Sequence, residues 1–356
     1  MKHTVLYFAA IAAALLAGCT QDEMPGASDT ASPAGGYFLQ PGTVEVLTQK
    51  GEPQTRATAG YTAVTAANAQ MGLFRKKSGT TYTTLQNVPY KYSQPTGQTT
   101  MGWWATGGDA GTVWLHPTTN ADIAACYPYN ASLSLASGEG VVNLAAAIRN
   151  ASTPQDLWYN HLQANGVNCH KNISLTQAYC RVQITILIDK SVSYTSEPYL
   201  YYLKIEGGRA SASSTTDGIF SAATLDMYSG AYTRGTKEYT PVNVTANSYQ
   251  ITDVAGTTTA AFDLMMIPAT LSAAVKLTIK TGGSSGAAKE MSVSIPAADF
   301  GGSLTAGKIY KVSVKIKGTD IGEFSSVTTD WSPVTSTGSG TTVDGQKYFD
   351  FSSPVF

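Results

Sequence analysis

The sequence has few of the side chains on which catalysis, metal binding and nucleic-acid binding depend. Only 13% of its 356 residues are charged, and the formal net charge is −1. A chain this close to neutral presents no basic field to attract a nucleic-acid backbone. Its four histidines and four cysteines do not have the spacing of a common metal site or of a nucleophile with its base. We therefore expect no enzyme, no metal or other cofactor, and no nucleic-acid partner.

The cysteines beyond the first segment also argue against a disulfide framework. There are three of them, Cys126, Cys169 and Cys180, whereas small domains held together by disulfides carry an even set. A bond between Cys169 and Cys180 is the alternative. Cys180 lies in an apolar, strand-like run, where a cysteine behaves as a small core residue. We expect buried free thiols.

Two stretches match catalytic motifs in part, but their flanking residues do not suit those motifs. Residues 302–309 follow the phosphate-loop pattern as far as Lys308, but Ile309 stands where a magnesium-binding hydroxyl is required. Residues 282–286 fit the nucleophile-elbow pattern G-x-S-x-G. Strand-like runs flank them on both sides, whereas that elbow needs a helix after it. Both stretches are interpreted as turns.

Runs suited to long helices are nearly absent, and what remains is typical of an extracellular all-β protein. Short apolar runs are bounded by Gly, Pro or Asn, and there are 20 tyrosines. Apolar and polar residues alternate at 275–280, 291–295 and 310–317. This alternation predicts antiparallel sheets that have one solvent-exposed face and pack as a sandwich. Residues 144–149 are the exception, since their pattern allows a helical turn.

The length suits two domains after an export segment and a linker. We place a lipoprotein signal at residues 1–19 and a flexible tether, rich in Pro, Gly, Ser and Thr, at 20–36. A first β-sandwich is predicted at 37–165 and a second at 166–356. The boundary between the two predicted sandwiches lies in a region where the alternation typical of strands is unclear.

The first segment has the three parts of a bacterial export signal. Lys2 and His3 precede an apolar run at residues 5–16, and small residues lead to Cys19. The run is too short for a membrane-spanning helix. A cysteine at this point is where a lipoprotein carries its lipid. We therefore predict that Cys19 is lipidated and that acyl chains alone attach a cell-surface protein to the outer membrane.

Two aromatic clusters are candidates for recognition. They are Trp103-Trp104 and the tyrosines at residues 199–202. Neighbouring residues of a strand face opposite ways, so each cluster is expected to be half core and half surface. An exposed aromatic ring can stack on a sugar. Trp103 and Trp104 are therefore candidate glycan contacts.

Several stretches, in order, resemble one family. Cys126-Tyr127-Pro128-Tyr129-Asn130 resembles the "AYYPYN" strand end of fimbrillins, the pilin subunits of Bacteroidetes type V pili. Residues 156–159, 175–182 and 306–312 are similar to three further fimbrillin stretches, "DLMYA", "FKHAYARV" and "AGKxYxYTV", and Trp331 is similar to a late tryptophan. The sequence departs from the pattern at Cys126, which replaces an aromatic residue, and at Gln177, which replaces a histidine. The resemblance covers most of the chain beyond residue 37.

The resemblance implies two transthyretin-like β-sandwich domains in tandem and assembly by strand exchange. An arginine-specific protease would cut a loop after the first strand, and a strand from a neighbouring subunit would fill the vacated groove. Arg56 and Ala57 flank the expected cut, whereas Arg75 fits less well because it ends an apolar run. The donated strand would be residues 347–356, with apolar side chains from Tyr348, Phe349, Phe351, Val355 and Phe356.

These observations favour a structural subunit or adhesin of a pilus, with other pilin subunits and an arginine-specific protease as partners. The alternative is a monomeric surface lipoprotein that binds host or bacterial glycans through its exposed aromatic residues.

Overall fold

The regular structure is almost entirely β. The computed structural model describes residues 37–48, 60–107, 111–149, 156–188, 199–243, 249–250, 252–254, 257–282, 289–317 and 320–330. Within these ranges the helical segments are short 3-10 turns, among them Gly166–Asn168 and Ala297–Phe300. The all-β prediction is confirmed.

The strands are numbered in chain order. They are β1 Tyr37–Phe38, β2 Gln40–Thr48, β3 Gly60–Ala63, β4 Gln70–Arg75, β5 Leu85–Ser93, β6 Gly102–Ala105, β7 Trp114–Leu115, β8 Ala121–Tyr127, β9 Val141–Ala145, β10 Ala147–Ile148, β11 Trp158–Ala164, β12 His170–Gln177, β13 Cys180–Ile188, β14 Tyr199–Gly207, β15 Ala222–Asp226, β16 Ala231–Arg234, β17 Tyr239–Asn243, β18 Tyr249–Gln250, β19 Thr252–Val254, β20 Thr257–Met266, β21 Ala269–Thr270, β22 Val275–Gly282, β23 Lys289–Ile295, β24 Ser303–Leu304, β25 Lys308–Lys317 and β26 Asp320–Asp330.

The first half of the chain forms a sheet of eight strands in the order β3-β2-β12-β11-β8-β4-β5-β6. Neighbouring strands are antiparallel except β2 and β12, which are parallel. β2 lies near one end of this order and β6 at the other, yet the two are in contact. The sheet therefore wraps around its own core, which includes Met71, Ile123 and Leu175.

The second half forms two large sheets. One has the order β10-β20-β13-β25-β26, with β19 beside β20, and the other the order β17-β14-β22-β23, with β18 beside β14. The predicted inward faces of β22 and β25 are buried in their shared core: Val275, Leu277, Ile279, Tyr310, Val312, Val314 and Ile316. β13 and β25 are parallel, so the prediction of purely antiparallel sheets needs correction. Only a tight hairpin forces neighbouring strands to be antiparallel, and these two are far apart in sequence.

A third core cluster joins the two halves. It contains Phe74 and Ala124 from the first sheet, Met265 and Ile309 from the second half, and Phe220 between them. β9 and β10 pair with β15 and β20. β12 extends the first sheet beyond residue 165, and the chain changes sheet between β12 and β13. The proposed boundary at residues 165 and 166 stays a prediction.

The predicted helical turn at residues 144–149 is wrong. Leu144 lies in β9, whose side chains alternate between buried and exposed positions, and Ile148 lies in β10. Each strand pairs with a partner from the second half of the chain. Such distant pairing decides the conformation of a segment whose local pattern is short and ambiguous.

The thiol predictions hold for two cysteines. Cys126 and Cys180 are buried and free, and burial raises the pKa of the Cys126 thiol to about 12. Cys169 is disulfide-bonded, so the expectation of a free thiol there is wrong. Cys169 and Cys180 do not bond to each other, because the Cys180 thiol is free.

We expect Phe74→Ala to lower the free energy of unfolding by about 3–5 kcal/mol, because the ring is fully buried in the shared cluster. Urea unfolding followed by tryptophan fluorescence measures the change. Val167→Ala is the control, since Val167 is 82% exposed, and its effect should stay within about 0.5 kcal/mol. Similar small effects for both variants would contradict the tight packing of this cluster.

Candidate functional site

β2 is the second strand from one end of the first sheet, and β3 flanks it along Glu45–Thr48. β2 is flanked by β12 on one side and β3 on the other, and β1 pairs with β7. The N–H of Leu39 donates to the carbonyl of Val113 (2.9 Å), and the N–H of Gln40 donates to that of Cys169 (3.0 Å). Loss of this segment would therefore leave unpaired backbone groups on three strands.

Its side chains complete the core of the first half. Leu39, Val44 and Val46 belong to the same buried cluster as Ile173 and Leu175 of β12. The buried positions are 38, 39, 41, 44 and 46, with two exposed residues at 42 and 43. This order interrupts the regular alternation of a strand.

A β-bulge causes the interruption. Lys171 pairs with Pro41 and Ile173 with Val44, so Gly42 and Thr43 together lie opposite Asn172. The N–H of Thr43 donates to Oδ1 of Asn172 at 3.0 Å. A Cβ atom on Gly42 would lie 2.5 Å from the same oxygen. The Asn172 side chain thus holds the bulge, and any side chain at position 42 would have to displace it.

A pocket of about 130 Å³ lies where the start of β2 meets β6. Leu39 and Pro41 line one side, and Trp103, Trp104 and Tyr90 line the other. The hydroxyl of Tyr90 accepts the N–H of Val113 (3.1 Å), and burial raises the pKa of Tyr90 to about 12. Gln40 and His170 also line the pocket, so its wall combines aromatic, aliphatic and polar groups with a neutral phenol.

The two tryptophans differ in their exposure. Trp103 is only 5% exposed and belongs to the core, so its ring is not open to a ligand. Trp104 is half-buried, and its indole N–H has no hydrogen-bond partner in the part of the chain that the structure describes. Of the two predicted glycan contacts, only Trp104 keeps an accessible ring.

The remaining predicted site residues lie outside the described residues. They are Cys19, Arg56, Ala57, Tyr348, Phe349, Phe351, Val355 and Phe356. Arg56 and Ala57 fall in the connection between β2 and β3, which are neighbouring antiparallel strands. Any cut in this connection would separate β1 and β2 from the rest of the chain.

Every other arginine of the sequence is held by described neighbours. Arg75 is 5% exposed and donates to the carbonyls of Thr83 (3.1 Å) and Trp114 (2.7 Å), and burial lowers the pKa of its guanidinium. The other four also bond through their guanidinium groups: Arg149 to Asp156, Arg181 to Asp263, Arg209 to the carbonyl of Ile219, and Arg234 to the carbonyl of Pro268. In the folded chain, the hydrogen bonds of these five guanidinium groups oppose their entry into the active site of an arginine-specific protease.

Sequence reasoning missed Asn172 and the bulge. Gly42 within a strand-like run is the signal that was available, because an isolated glycine in a strand often marks a bulge. Among the described residues no cluster of His, Cys, Asp or Glu suits a metal ion. No helix in those residues is long and apolar enough to cross a membrane.

Comparison with solved structures gives distant matches. A proposed cell adhesion protein of Bacteroides uniformis is 20% identical, with a TM-score of 0.49, and the match covers 82% of this chain and 98% of that one. A proposed adhesin of Bacteroides thetaiotaomicron is 8% identical, with a TM-score of 0.43 and coverages of 85% and 98%. No curated relative matches the sequence.

The family comparison is decisive. The model of the fimbrillin-like family matches residues 55–331, which is well over half of the chain. The matched region runs from just before Arg56 to Trp331 and so includes β3 to β26. The chain belongs to the fimbrillin-like family.

Proposed function

We propose that this protein is a structural subunit or adhesin of a cell-surface pilus that is exported as a lipoprotein, cleaved after Arg56 and polymerised by β-strand exchange. The observation that carries the proposal is the position of β2. It is an interior strand of its sheet, and its connection to β3 contains Arg56. Membership of the fimbrillin-like family supports a role at the cell surface.

Cleavage in that connection makes the first strand replaceable. After the cut, residues 37–48 are held by hydrogen bonds to β12, β3 and β7 and by burial of Leu39, Val44 and Val46. When the strand leaves, the facing edges of β12 and β3 lose their partners, and Ile173 and Leu175 lose their cover. A groove of this kind strongly favours an incoming strand, because backbone hydrogen bonds give affinity and alternate pockets give register.

The state of the other arginines supports cleavage at Arg56. Arg75 and Arg181 are buried, and Arg149 forms an ion pair with Asp156 at 3.3 Å. A protease needs its substrate residue in an extended and accessible segment. Of the six arginines in the sequence, Arg56 is therefore the best candidate.

Lipidation of Cys19 and the tether at residues 20–36 complete the proposal. Acyl chains on Cys19 would attach the precursor to the outer membrane. Cleavage after Arg56 would break the main-chain link to that anchor, since Cys19 precedes the cut, and it would release the processed chain where Cys19 is not the disulfide partner of Cys169. Release from the membrane and opening of the groove thus depend on the same peptide bond.

We expect Arg56→Ala to retain residues 37–48 and to abolish polymers. Wild-type protein exposed to an arginine-specific protease should begin at Ala57. N-terminal sequencing and intact mass of the surface protein identify the first residue of the mature chain. The intact mass also shows whether Cys19 carries lipid or shares the disulfide of Cys169. Arg209→Ala is the control and should be processed normally. Polymers of normal length from Arg56→Ala would refute cleavage at this site.

A second candidate function is supported by the pocket beside β6. The ring of Trp104 is half-buried, and its indole N–H has no hydrogen-bond partner among the described residues. The pocket of about 130 Å³ beside it is lined by Trp103 and Tyr90 together with Gln40 and His170. These features suit a sugar ring, which combines apolar faces with hydroxyl acceptors. The protein would then be a monomeric surface lipoprotein that binds glycans.

For this candidate, Trp104→Ala should weaken binding of any glycan selected on an array by roughly tenfold or more, because stacking and the N–H are both lost. Titration calorimetry with that glycan gives the affinity. Met101→Ala is the control, since Met101 is a neighbouring exposed side chain. Unchanged binding by the Trp104 variant would exclude this pocket as the glycan site.

A further inference from the structure

We propose that the pocket between β2 and β6 binds an acidic sugar, a uronate residue whose ring stacks on Trp104 and whose carboxylate points towards the basic side chains of Lys91 and His170. The inference rests on the second candidate function above and names the class of sugar that this site takes. Three features of the pocket carry it, namely the open edge of β6, the charges on the surrounding strands and the volume.

The pocket lies where the first sheet closes on itself. β6 is the last strand of that sheet, and its partner strand is β5. Gly102, Trp104 and Ala105 of β6 line the pocket together with Gln40 and Pro41 of β2. The outer edge of β6 pairs with no strand in the part of the chain that the structure describes. Backbone N–H and C=O groups of this edge can therefore meet the hydroxyl groups of a ligand.

Trp104 provides the surface on which a sugar ring can stack. Its side chain approaches the backbone of β6 closely, since a Cβ atom on Gly102 would lie 3.2 Å from the indole Nε1. The indole N–H has no hydrogen-bond partner among the described residues. An aromatic face packs against the C–H groups of a sugar ring, and a polar donor beside it suits a hydroxyl or carboxylate oxygen.

Basic residues flank this ring. His170 lines the pocket. Lys91 of β5 is the cross-strand partner of Trp104, and Lys171 of β12 pairs with Pro41 of β2. Directly opposite residues of an antiparallel pair lie on the same face of the sheet. Lys91 therefore lies beside the indole ring, on the face of the sheet that Trp104 occupies.

Carboxylates are missing from the same region. None of the described residues that line the pocket is acidic. Glu45 of β2 lies five positions from Gln40, which is roughly 16 Å along a strand. Lys91, His170 and Lys171 form no ion pair with another described residue. The positive charge beside the pocket is thus not neutralised by the described part of the chain.

Lysines of the second half of the chain show the contrast. Nζ of Lys204 lies 2.7 Å from a carboxylate oxygen of Glu206 and 2.8 Å from one of Glu238, and Nζ of Lys276 lies 3.6 Å from Glu206. Those lysines are paired with carboxylates of the chain itself. At the pocket the complementary group has to come from a ligand, and a carboxylate supplies it through charge-assisted hydrogen bonds.

The volume of the pocket limits the ligand to one ring. About 130 Å³ is well below the roughly 300 Å³ at which pockets for drug-sized ligands begin. One sugar ring can therefore enter, while the rest of a glycan stays in solvent. A small carboxylate such as acetate would lack the stacking contact with Trp104, and a neutral sugar would lack the charge. A uronate combines both groups in one residue.

The test compares methyl β-D-glucuronide with methyl β-D-glucoside, which differ only in carrying a carboxylate or a hydroxymethyl group. Each is titrated into the full-length protein labelled with nitrogen-15, and the indole N–H signals of the five tryptophans are followed by NMR. The Trp104→Phe variant identifies the Trp104 signal. Both glycosides should shift this signal, and the glucuronide should bind roughly fivefold or more tightly, because hydrogen bonds to a charged group are stronger.

Two further titrations separate the charge from the ring. High salt should reduce the advantage of the glucuronide over the glucoside, since salt screens exposed charges. Acetate should not displace the glucuronide at equal concentration, because it cannot stack. The corresponding pair in the galactose series identifies the preferred epimer. Displacement by acetate as effective as by the glucuronide itself would contradict a sugar-specific site.

Two variants test the basic side chains. Lys91→Gln and His170→Gln should each weaken binding of the glucuronide by roughly threefold, and the double variant should bind the glucuronide and the glucoside with equal affinity. Lys276→Gln is the matched control, because it removes one lysine from a different sheet, and it should keep the preference for the glucuronide. A double variant that still prefers the glucuronide would contradict the assigned roles of Lys91 and His170.

The outcomes separate this inference from the candidate function on which it rests. If the two glycosides shift the Trp104 signal with equal affinity, the pocket binds sugars without preference for acidic ones, and the inference is wrong. If neither glycoside shifts that signal, glycan binding at this pocket fails as well. Binding of the glucuronide that moves other signals and leaves that of Trp104 unchanged would locate the acidic sugar elsewhere and also overturn the inference.

Discussion

An interior strand cannot leave a β-sheet without exposing two rows of backbone hydrogen-bonding groups. This constraint governs the first half of the molecule, where β2 lies between β12 and β3 and covers Ile173 and Leu175. Unpaired buried N–H and C=O groups cost free energy comparable to the bonds they lose. The sheet therefore depends on that position being filled, and under the proposed strand exchange the identity of the filling strand would decide assembly.

The bulge at Asn172 makes this position selective. A strand that alternates strictly fits its groove equally well after a shift of two residues, so an uninterrupted groove specifies register weakly. Here Gly42 and Thr43 are both exposed opposite a single residue of β12. Under the proposed exchange, a replacing strand would also have to accommodate two residues opposite Asn172. The bulge that deforms β2 would therefore restrict its replacements.

The sequence predicted those parts of the fold that depend on local pattern. The inward faces of β22 and β25 follow from alternation because one side of each strand is less buried than the other. The interior position of β2 was not predictable, because its parallel partner is remote in sequence: Thr43 and Asn172 are separated by 129 positions. For the same reason the sequence did not predict β9 and β10, whose partner strands are distant in sequence. The prediction of a free thiol at Cys169 was wrong because disulfide bonding also depends on residues that are distant in sequence. Gly42 in a strand-like run indicates a bulge, but the sequence does not indicate that Asn172 holds it.

The arrangement of the three core clusters bears on how the molecule would tolerate the proposed strand exchange. Among the described residues, Leu39, Val44 and Val46 belong to the first cluster alone. The second cluster and the shared cluster around Phe74 and Phe220 are built without the first segment. Because β8 and β4 contribute to both the first and the shared cluster, the far side of the first sheet would stay packed against the second half of the chain if β2 left. The strands that border the β2 position are thus held by other parts of the fold. β12, which is parallel to β2, pairs with β11, and β11 pairs with β8. In the proposed exchange, such support would keep the unpaired strand edges in place for an incoming strand.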